Sequence, residues 1–290
     1  MITAKVIGDS YYLDKREDPH RVTTLELEYP RYIHSELLTH RVFSRNSASS
    51  RAIPIEKMIE LLETNPVTPE WTLNQKGMSG EKVTDTQIIE DASKEWDEAR
   101  KDMITRVRRL MQLGIHKQNA NRLLEPFQHI KTIITGTDWQ NFYNLRISEA
   151  AQPEMKKLAV KIRAAIEEST PYALKENQVH LPYIDCPMGL NATKAILKSV
   201  ALCAQVSYRK EDSSEETVKR IINRLLSGDR IHASPFEHIC IPDPESTQGN
   251  LKGFTQLRHC VEHWKRFCLL PDEPDYYECL VATGKKLWNY

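Results

Sequence analysis

The sequence has no net charge: 40 lysines and arginines stand against 40 aspartates and glutamates. A balanced chain casts no broad field toward DNA or an anionic membrane, so an anionic ligand must be held by a few placed arginines. It also lacks any apolar run near the roughly 20 residues a membrane helix needs. A mean hydropathy of -0.54 with 40% apolar residues fits a soluble, helix-rich protein. The start, MITAKVIGDS, has neither the basic nor the apolar segment of a secretory signal. None of the six cysteines (Cys186, Cys203, Cys240, Cys260, Cys268 and Cys279) forms a CxxC, and a chain this long does not need disulfide staples. The expectation is reduced thiols and a cytoplasmic protein, with neither nucleic acid nor membrane as partner. Repeats, heptad arrays and low-complexity tracts are absent too.

What is present alternates between strand and helix patterns. Leu25, Leu27 and Tyr29 share one face of a strand that Pro30 ends. A short helix over Ile33 to Thr39 leads into the polar run His40 to Arg51, read as a loop lining something. Residues 64–84, with two prolines and two glycines, form an excursion. From Asp85 to Leu113 apolar residues recur at helical steps (Ile88, Ala92, Trp96, Ala99, Met103, Val107, Leu110, Met111), with Gly114 as C-cap. A helix over Asn119 to Leu124 stopped by Pro126, a strand over Gln128 to Thr135 and a short helix capped by Asp138 follow. Ser148 and Glu149 open a helix with the stripe Met155, Leu158, Ala159, Ile162 and Ile166. Asn191 caps the next, and a Ser213–Glu216 capping box starts one over Val218 to Leu226, ended by Gly228. The class is α+β, helix-rich with an antiparallel sheet, in a single domain over 1–290.

The run His40-Arg41-Val42-Phe43-Ser44-Arg45-Asn46-Ser47-Ala48-Ser49-Ser50-Arg51 offers guanidinium forks, hydroxyls and free backbone N–H groups. That set suits a phosphate and a planar heterocycle with carbonyls. Its spacing resembles the signature of flavin-dependent thymidylate synthases, Arg-His-Arg, seven residues, then Ser. His40, Arg41, Ser44, Asn46, Ser49 and Arg51 stand at matching positions. Asn121-Arg122-Leu123-Leu124-Glu125-Pro126 resembles a second block of that family, and Asn141-Phe142-Tyr143-Asn144-Leu145-Arg146, with Gln152 and Glu154, a third. The family's opening blocks come last here: Ala204-Gln205-Val206-Ser207-Tyr208, a helix, and His232-Ala233-Ser234-Pro235-Phe236-Glu237-His238. This order reads as a circular permutation that carries the usual N-terminal block to about 195–245. Departures fall at Thr39 (Arg in the family), Glu36 (Gln), Ser47 (Glu), Ala52 (Tyr) and Ala150 (His).

The resemblance implies a homotetramer with active sites between subunits. It implies FAD as cofactor, with NADPH and methylene-tetrahydrofolate as cosubstrates for reductive methylation of dUMP. Arg51 and Ser49 go to the nucleotide phosphate, Arg122 and Arg146 to the uracil edge, with Glu36, Ser47 and Ser50 also on the substrate. Thr39, His40, Arg41, Thr135, Gly136, Thr137, Asn141, His232 and Ser234 go to the flavin. Arg146 is the catalytic residue; a guanidinium is no base, so it stabilises charge that develops on the pyrimidine. Two alternatives share the scaffold: hydroxymethylation of dUMP, UMP or dCMP, and a flavin- or nucleotide-binding protein without turnover. Gly253 to His259 offers a replacement Gln and Arg, against a plain surface helix.

Two rival motifs need other chemistry. His259-Cys260-Val261-Glu262-His263 matches HxxEH, which binds zinc through two histidines and a downstream carboxylate; only Glu273 and Glu278 remain as glutamates. Cys186-Pro187 resembles the nucleophile of the folate-only thymidylate synthases but lacks its companion histidine. No metal is expected.

Overall fold

The structure is a computed structural model and describes residues 1–207, 212–228, 231–266, 275–283 and 288. Strands β1 (Thr3–Leu13) and β2 (Pro19–Pro30) pair antiparallel from Thr3↔Glu28 to Leu13↔Pro19, with a register shift between Val6 and Gly8. A 3-10 turn, Arg31–Ile33, and helix α1 (His34–Leu38) carry the chain to β3 (Ser44–Ser47). Helices α2 (Ile55–Thr64), α3 (Thr86–Gln112) and α4 (Lys117–Ala120) precede strand β4 (His129–Gly136). Helices α5 (Gln140–Arg146) and α6 (Pro153–Glu168) and the short strand β5 (Tyr172–Ala173) follow. The sheet runs β3-β4-β2-β1-β5, antiparallel except for the parallel β1–β5 pair.

Period-two alternation sorts the sheet into two faces. On one, Leu25, Leu27 and Tyr29 lie opposite Ile134, Thr132 and Ile130 of β4, and the α6 stripe Met155, Leu158, Ala159 and Ile162 covers them without exposure. Each such leucine or isoleucine contributes about 1.5–3 kcal/mol through burial. On the other face, Ile133 joins a core built by α7 (Thr193–Ala204) and α8 (Glu215–Leu226) with Phe236 and Ile239. Between α6 and α7 lies the small pair β6 (Gln178–Val179) and β7 (Met188–Gly189). After α8 come a 3-10 turn over Ser234–His238, the pair β8 (Cys240–Pro242) and β9 (Phe254–Gln256), and helices α9 (Leu257–Arg266) and α10 (Tyr276–Thr283). A third core joins α2 and α3 through Met58, Ile59, Leu62, Ile104 and Val107.

The α+β class and most elements follow the sequence, and the differences have local causes. The α6 helix opens at Pro153 rather than at Ser148: proline suits the first helical position and holds Gln152 extended (φ -55°, ψ 135°). In α8 the cap is Ser214, whose hydroxyl accepts from Thr217 N at 3.4 Å; Ser213 stands one residue too early. Asp138 does not cap α5 but pairs with Lys252 at 2.8 Å. Asn191 gives α7 no side-chain cap; the cap position is Ala192. Pro126 does not stop a helix but sits inside the 3-10 turn Asn121–Phe127, where i to i+3 bonding tolerates it. Asp85 does cap α3, through Gln87 N and Ile88 N, and Gly114 has φ +75° just past its end. The α3 stripe is buried only from Arg100 on, at Ile104 and Val107; Ile88 is exposed. Residues 64–84 form the expected excursion, with one bridge between Thr72 and Lys82.

Candidate functional site

Part of the run 40–51 is strand, not loop. Asn46 pairs with Ile133 and Ser47 with Thr132 of β4, and Ser44 is 1% exposed. Its strand side chains are buried or half-buried, and each polar one described meets a partner. Ser44 Oγ donates to Asn250 Oδ1 at 2.9 Å and accepts from Gln256 Nε2 at 2.8 Å; Asn46 Nδ2 donates to the Cys203 carbonyl at 2.8 Å. Ser47 Oγ accepts from Thr132 Oγ1 at 3.1 Å. Gln256 is therefore a buried brace of this segment rather than part of a surface helix. Arg258, its near neighbour, pairs with Glu237 and with Glu262 at 2.8 Å. That second contact engages the glutamate of the HxxEH motif; Glu273 lies outside the described residues.

Four of the residues assigned from sequence come together at the N-terminal end of β3. Arg146, at the last position of α5, donates from Nε to His40 Nε2 at 2.8 Å and from Nη1 to Glu36 Oε2 at 2.9 Å. Its Nη2 donates to Thr39 Oγ1 at 3.2 Å and to the Glu36 carbonyl at 3.4 Å. Burial, then the charges of Arg146 and Arg45, push the His40 imidazole below its usual range, so the ring is neutral at pH 7. Since Nε2 accepts, the proton sits on Nδ1. Phe142, one turn before Arg146, packs edge-on to His40 with centroids 5.0 Å apart. Asn141 and Arg41 flank this corner and are exposed.

A second group forms at the far end of β3. Glu125 Oε1 accepts from Ser50 Oγ at 2.8 Å and Arg122 Nη1 at 2.8 Å, and Arg31 lies 3.1 Å away. Asn121 Nδ2 donates to the Ser50 and Ile53 carbonyls at 2.7 and 3.0 Å, which fixes the turn over 50–53. Arg51 stands exposed beside it. Arg122 and Arg146, assigned to one ring, thus sit on separate clusters at opposite ends of β3. Glu125, their hidden organiser on the Arg122 side, carried no assigned role in the sequence motif.

The late blocks dock on the same segment. Ser234 Oγ donates to Asn46 Oδ1 at 3.2 Å, and Ser49 N donates to Ser207 Oγ at 3.0 Å. The block that comes last in the sequence therefore lies against residues 46–49, which precede it by more than half the chain. Tyr208 is outside the described residues, and His232 is exposed, its backbone N donating to Leu225 O at 2.9 Å. At the end of β4, Thr137 Oγ1 accepts from Lys252 N at 3.1 Å. Gly136 faces Phe43: a Cβ there would meet the Phe43 ring at 2.7 Å.

Thr135 belongs to a buried file. Ser10 Oγ lies 3.0 Å from His180 Nδ1, His180 Nε2 lies 2.9 Å from Thr24 Oγ1, Thr24 Oγ1 lies 2.7 Å from Thr135 Oγ1, and Thr135 Oγ1 lies 2.8 Å from His238 Nδ1. Burial holds His180 down at about 4, and burial with His180 nearby holds His238 at about 3. Sequence reasoning missed His180, a lone histidine in a proline-rich link with no motif around it. The nearest signal is Gly8, where a Cβ would stand 3.1 Å from the His180 ring.

Comparison with known protein families covers the same region of the chain. Residues 19–172, which hold β2 to β5 and both arginine clusters, match the family described as thymidylate synthase complementing protein. A flavin-dependent thymidylate synthase from Thermosipho melanesiensis is 24% identical over 165 residues, 56% of this chain and 70% of that protein. The family match spans more than half of the 290 residues and contains the paired Glu36, His40 and Arg146, so this chain belongs to the flavin-dependent thymidylate synthase family.

Proposed function

We propose that the protein reductively methylates dUMP to dTMP, with FAD as cofactor, methylene-tetrahydrofolate as carbon donor and NADPH as reductant. The observation that carries the reading is the Glu36–Thr39–His40–Arg146 cluster, in which three residues in and just after α1 lock the Arg146 guanidinium in place. A bound flavin would supply the hydride; the protein supplies position and field. The residues present fit such a group. His40 offers a fixed Nδ1–H, Arg41 and Asn141 supply a cation and an amide, and Ser234 supplies a hydroxyl against Asn46 of β3. His238 Nε2, buried and without a described partner in the Ser-Pro-Phe-Glu-His turn, is a further polar atom that calls for explanation.

In this reading Arg51 and Ser49 hold the phosphate, with Ser47 and Ser50 beside them. Arg122 and Arg146 hold the pyrimidine, while Thr39, His232 and the Thr135–Gly136–Thr137 strand end border the flavin. Arg122 and Arg146 stand in separate clusters at opposite ends of β3, an arrangement that accords with sites formed between the subunits of a homotetramer. The docking of Ser207 and Ser234 onto 46–49 supports the circular permutation. Mass spectrometry of the nucleotide after incubation with dUMP, NADPH and methylene-tetrahydrofolate tests the proposal and separates methyl from hydroxymethyl product. An unchanged dUMP with a flavin-loaded, folded protein would overturn it.

A further inference from the structure

The connection between β8 and β9, residues 243–253, is tied down along its length. At its root Asp243 N donates to the Gly253 carbonyl at 2.8 Å, and Thr255 Oγ1 donates to Asp243 Oδ2 at 2.6 Å. Leu251 is buried in a small core with Val22, Leu174, Cys240 and Phe254. Gly249 and Gly253, at φ +74° and +79°, turn the chain on either side of it. A Cβ at Gly249 would stand 2.7 Å from His259 Nε2 of α9, and one at Gly253 would stand 2.5 Å from the His20 ring of β2. Residues 249–253 therefore form a strap held close against the body of the protein.

From this fixed base the strap reaches two segments that are far apart in sequence. Asn250 bridges the first: its Oδ1 accepts from Ser44 Oγ at 2.9 Å, and its Nδ2 donates to the Arg41 carbonyl at 3.4 Å. Lys252 holds the second. Its backbone N donates to Thr137 Oγ1 at 3.1 Å and its Nζ to Asp138 Oδ2 at 2.8 Å. Ser44 opens β3 opposite Thr135 of β4, so the two segments meet at the same end of the sheet. The contacts to Arg41, Thr137 and Asp138 are exposed, and water would satisfy the same groups, so they add little to folding stability. What they fix is direction. The Arg41 guanidinium is exposed, with no ion pair or hydrogen bond among the described residues, while Asn250 holds the carbonyl of the turn that carries it.

We propose that Asn250 and Lys252 are positioning residues for the cofactor: the strap sets Arg41 and Thr137 in place, so that flavin binding does not have to order them. The inference rests on the assignment of Arg41 and Thr137 to the flavin, and it adds a segment that none of the matched motif blocks contains. A guanidinium meets a diphosphate through parallel N–H donors, so its direction matters as well as its charge. Leaving one long side chain to be ordered on binding weakens affinity by up to about tenfold.

The test compares FAD affinity with folding stability in three variants of the full-length protein. Dilution of the holoprotein, followed by the recovery of free-flavin fluorescence, gives the dissociation constant, and thermal unfolding gives the midpoint. Asn250→Ala removes both halves of the bridge and should weaken FAD about tenfold. Ser44→Ala removes the same buried bond from its other side and leaves the contact to Arg41. It should lower the midpoint about as much as Asn250→Ala and leave FAD affinity within twofold of wild type. Wild-type FAD affinity in Asn250→Ala overturns the inference. So does an equal loss in Ser44→Ala, which would make the bridge a structural brace alone. If Asn250→Ala does not fold, Lys252→Ala decides: its pair with Asp138 is exposed, the fold survives its loss, and wild-type FAD affinity there overturns the inference. A wild-type protein that holds no flavin defeats the functional reading itself, and this inference with it.

Discussion

Ser10, His180, Thr24, Thr135 and His238 form a polar file across β1, β2 and β4, and no member exceeds 5% exposure. Glu36, Thr39, His40 and Arg146 form a cluster of similar size at the edge of the same sheet, half open to solvent apart from His40. The file is neutral throughout, because burial depresses both imidazoles, and its hydroxyls and rings satisfy one another except at His238 Nε2. The cluster keeps full charges and leaves one donor and one acceptor unused. In the interior an unmet polar group costs about 1–3 kcal/mol, so a buried network tends toward completeness and fixes the fold. At the edge water covers an unmet group until a ligand replaces it, so incompleteness is tolerable and useful. Mutations in the two regions should therefore separate stability from function.

The largest effect belongs to the edge. Arg146→Ala removes a guanidinium aimed at the proposed pyrimidine and should lower kcat by about 10²–10³, or roughly 3–4 kcal/mol. Arg146→Lys should do nearly as badly, because an ammonium cannot reach His40, Glu36 and Thr39 at once. Flavin content and unfolding midpoint should barely move. Steady-state kinetics beside thermal unfolding check this; near wild-type turnover in Arg146→Ala would remove it from the chemistry.

The core should show the reverse. Thr24→Val keeps shape but strands His180 Nε2 and leaves Thr135 Oγ1 with His238 alone, and should destabilise by about 1–3 kcal/mol in denaturant unfolding. Substrate affinity of the folded fraction should be unchanged. A stability within error of wild type would mean that the file does not hold the sheet together.

Acid should also single out the core. An unfolded chain protonates both histidines near pH 6.5, whereas the folded chain resists until about 4 for His180 and about 3 for His238. Below pH 6.5 the unfolded state binds more protons, so stability falls with falling pH, by about 1.4 kcal/mol per unit for each histidine. Replacing His180 with Gln should remove one of these two contributions, read as a shallower pH dependence of the unfolding free energy between pH 6.5 and 4.

Much of this contrast was legible in the sequence on the edge side and little of it in the core. The β2 alternation, the α6 stripe and the motif residues His40 and Arg146 each announce themselves through periodicity or spacing, and Glu36 stands out as a departure from the family's Gln. Strand β1 does not, because its register shift between Val6 and Gly8 breaks the alternation and only Asp9 and Ser10 are buried. Strand β3 was hidden by composition: a Ser-Arg-Asn-Ser run reads as loop until Asn250, Gln256 and Cys203 supply partners more than 150 residues away. His180 fails for the same reason, and so does Glu125, whose partners Ser50 and Arg31 are distant in sequence.

The smallest expected effect concerns Cys186, and it separates two chemistries. A thiol nucleophile would have to sit at the nucleotide, beside the 40–51 segment. Cys186 instead lines a cavity of about 350 Å³ with Lys5, Gly8 and Ser10 of β1. In the order β3-β4-β2-β1, that strand is three steps from β3, and steps of about 4.8 Å put roughly 14 Å between them. Cys186 is also exposed, so serine in its place leaves no cavity and no unmet buried group. Cys186→Ser should therefore keep most of the wild-type kcat and an unchanged unfolding midpoint. If turnover fell by several orders of magnitude while folding and flavin content held, a covalent thiol route would replace the flavin-only one, and the edge cluster would have to be reread as a binding site alone.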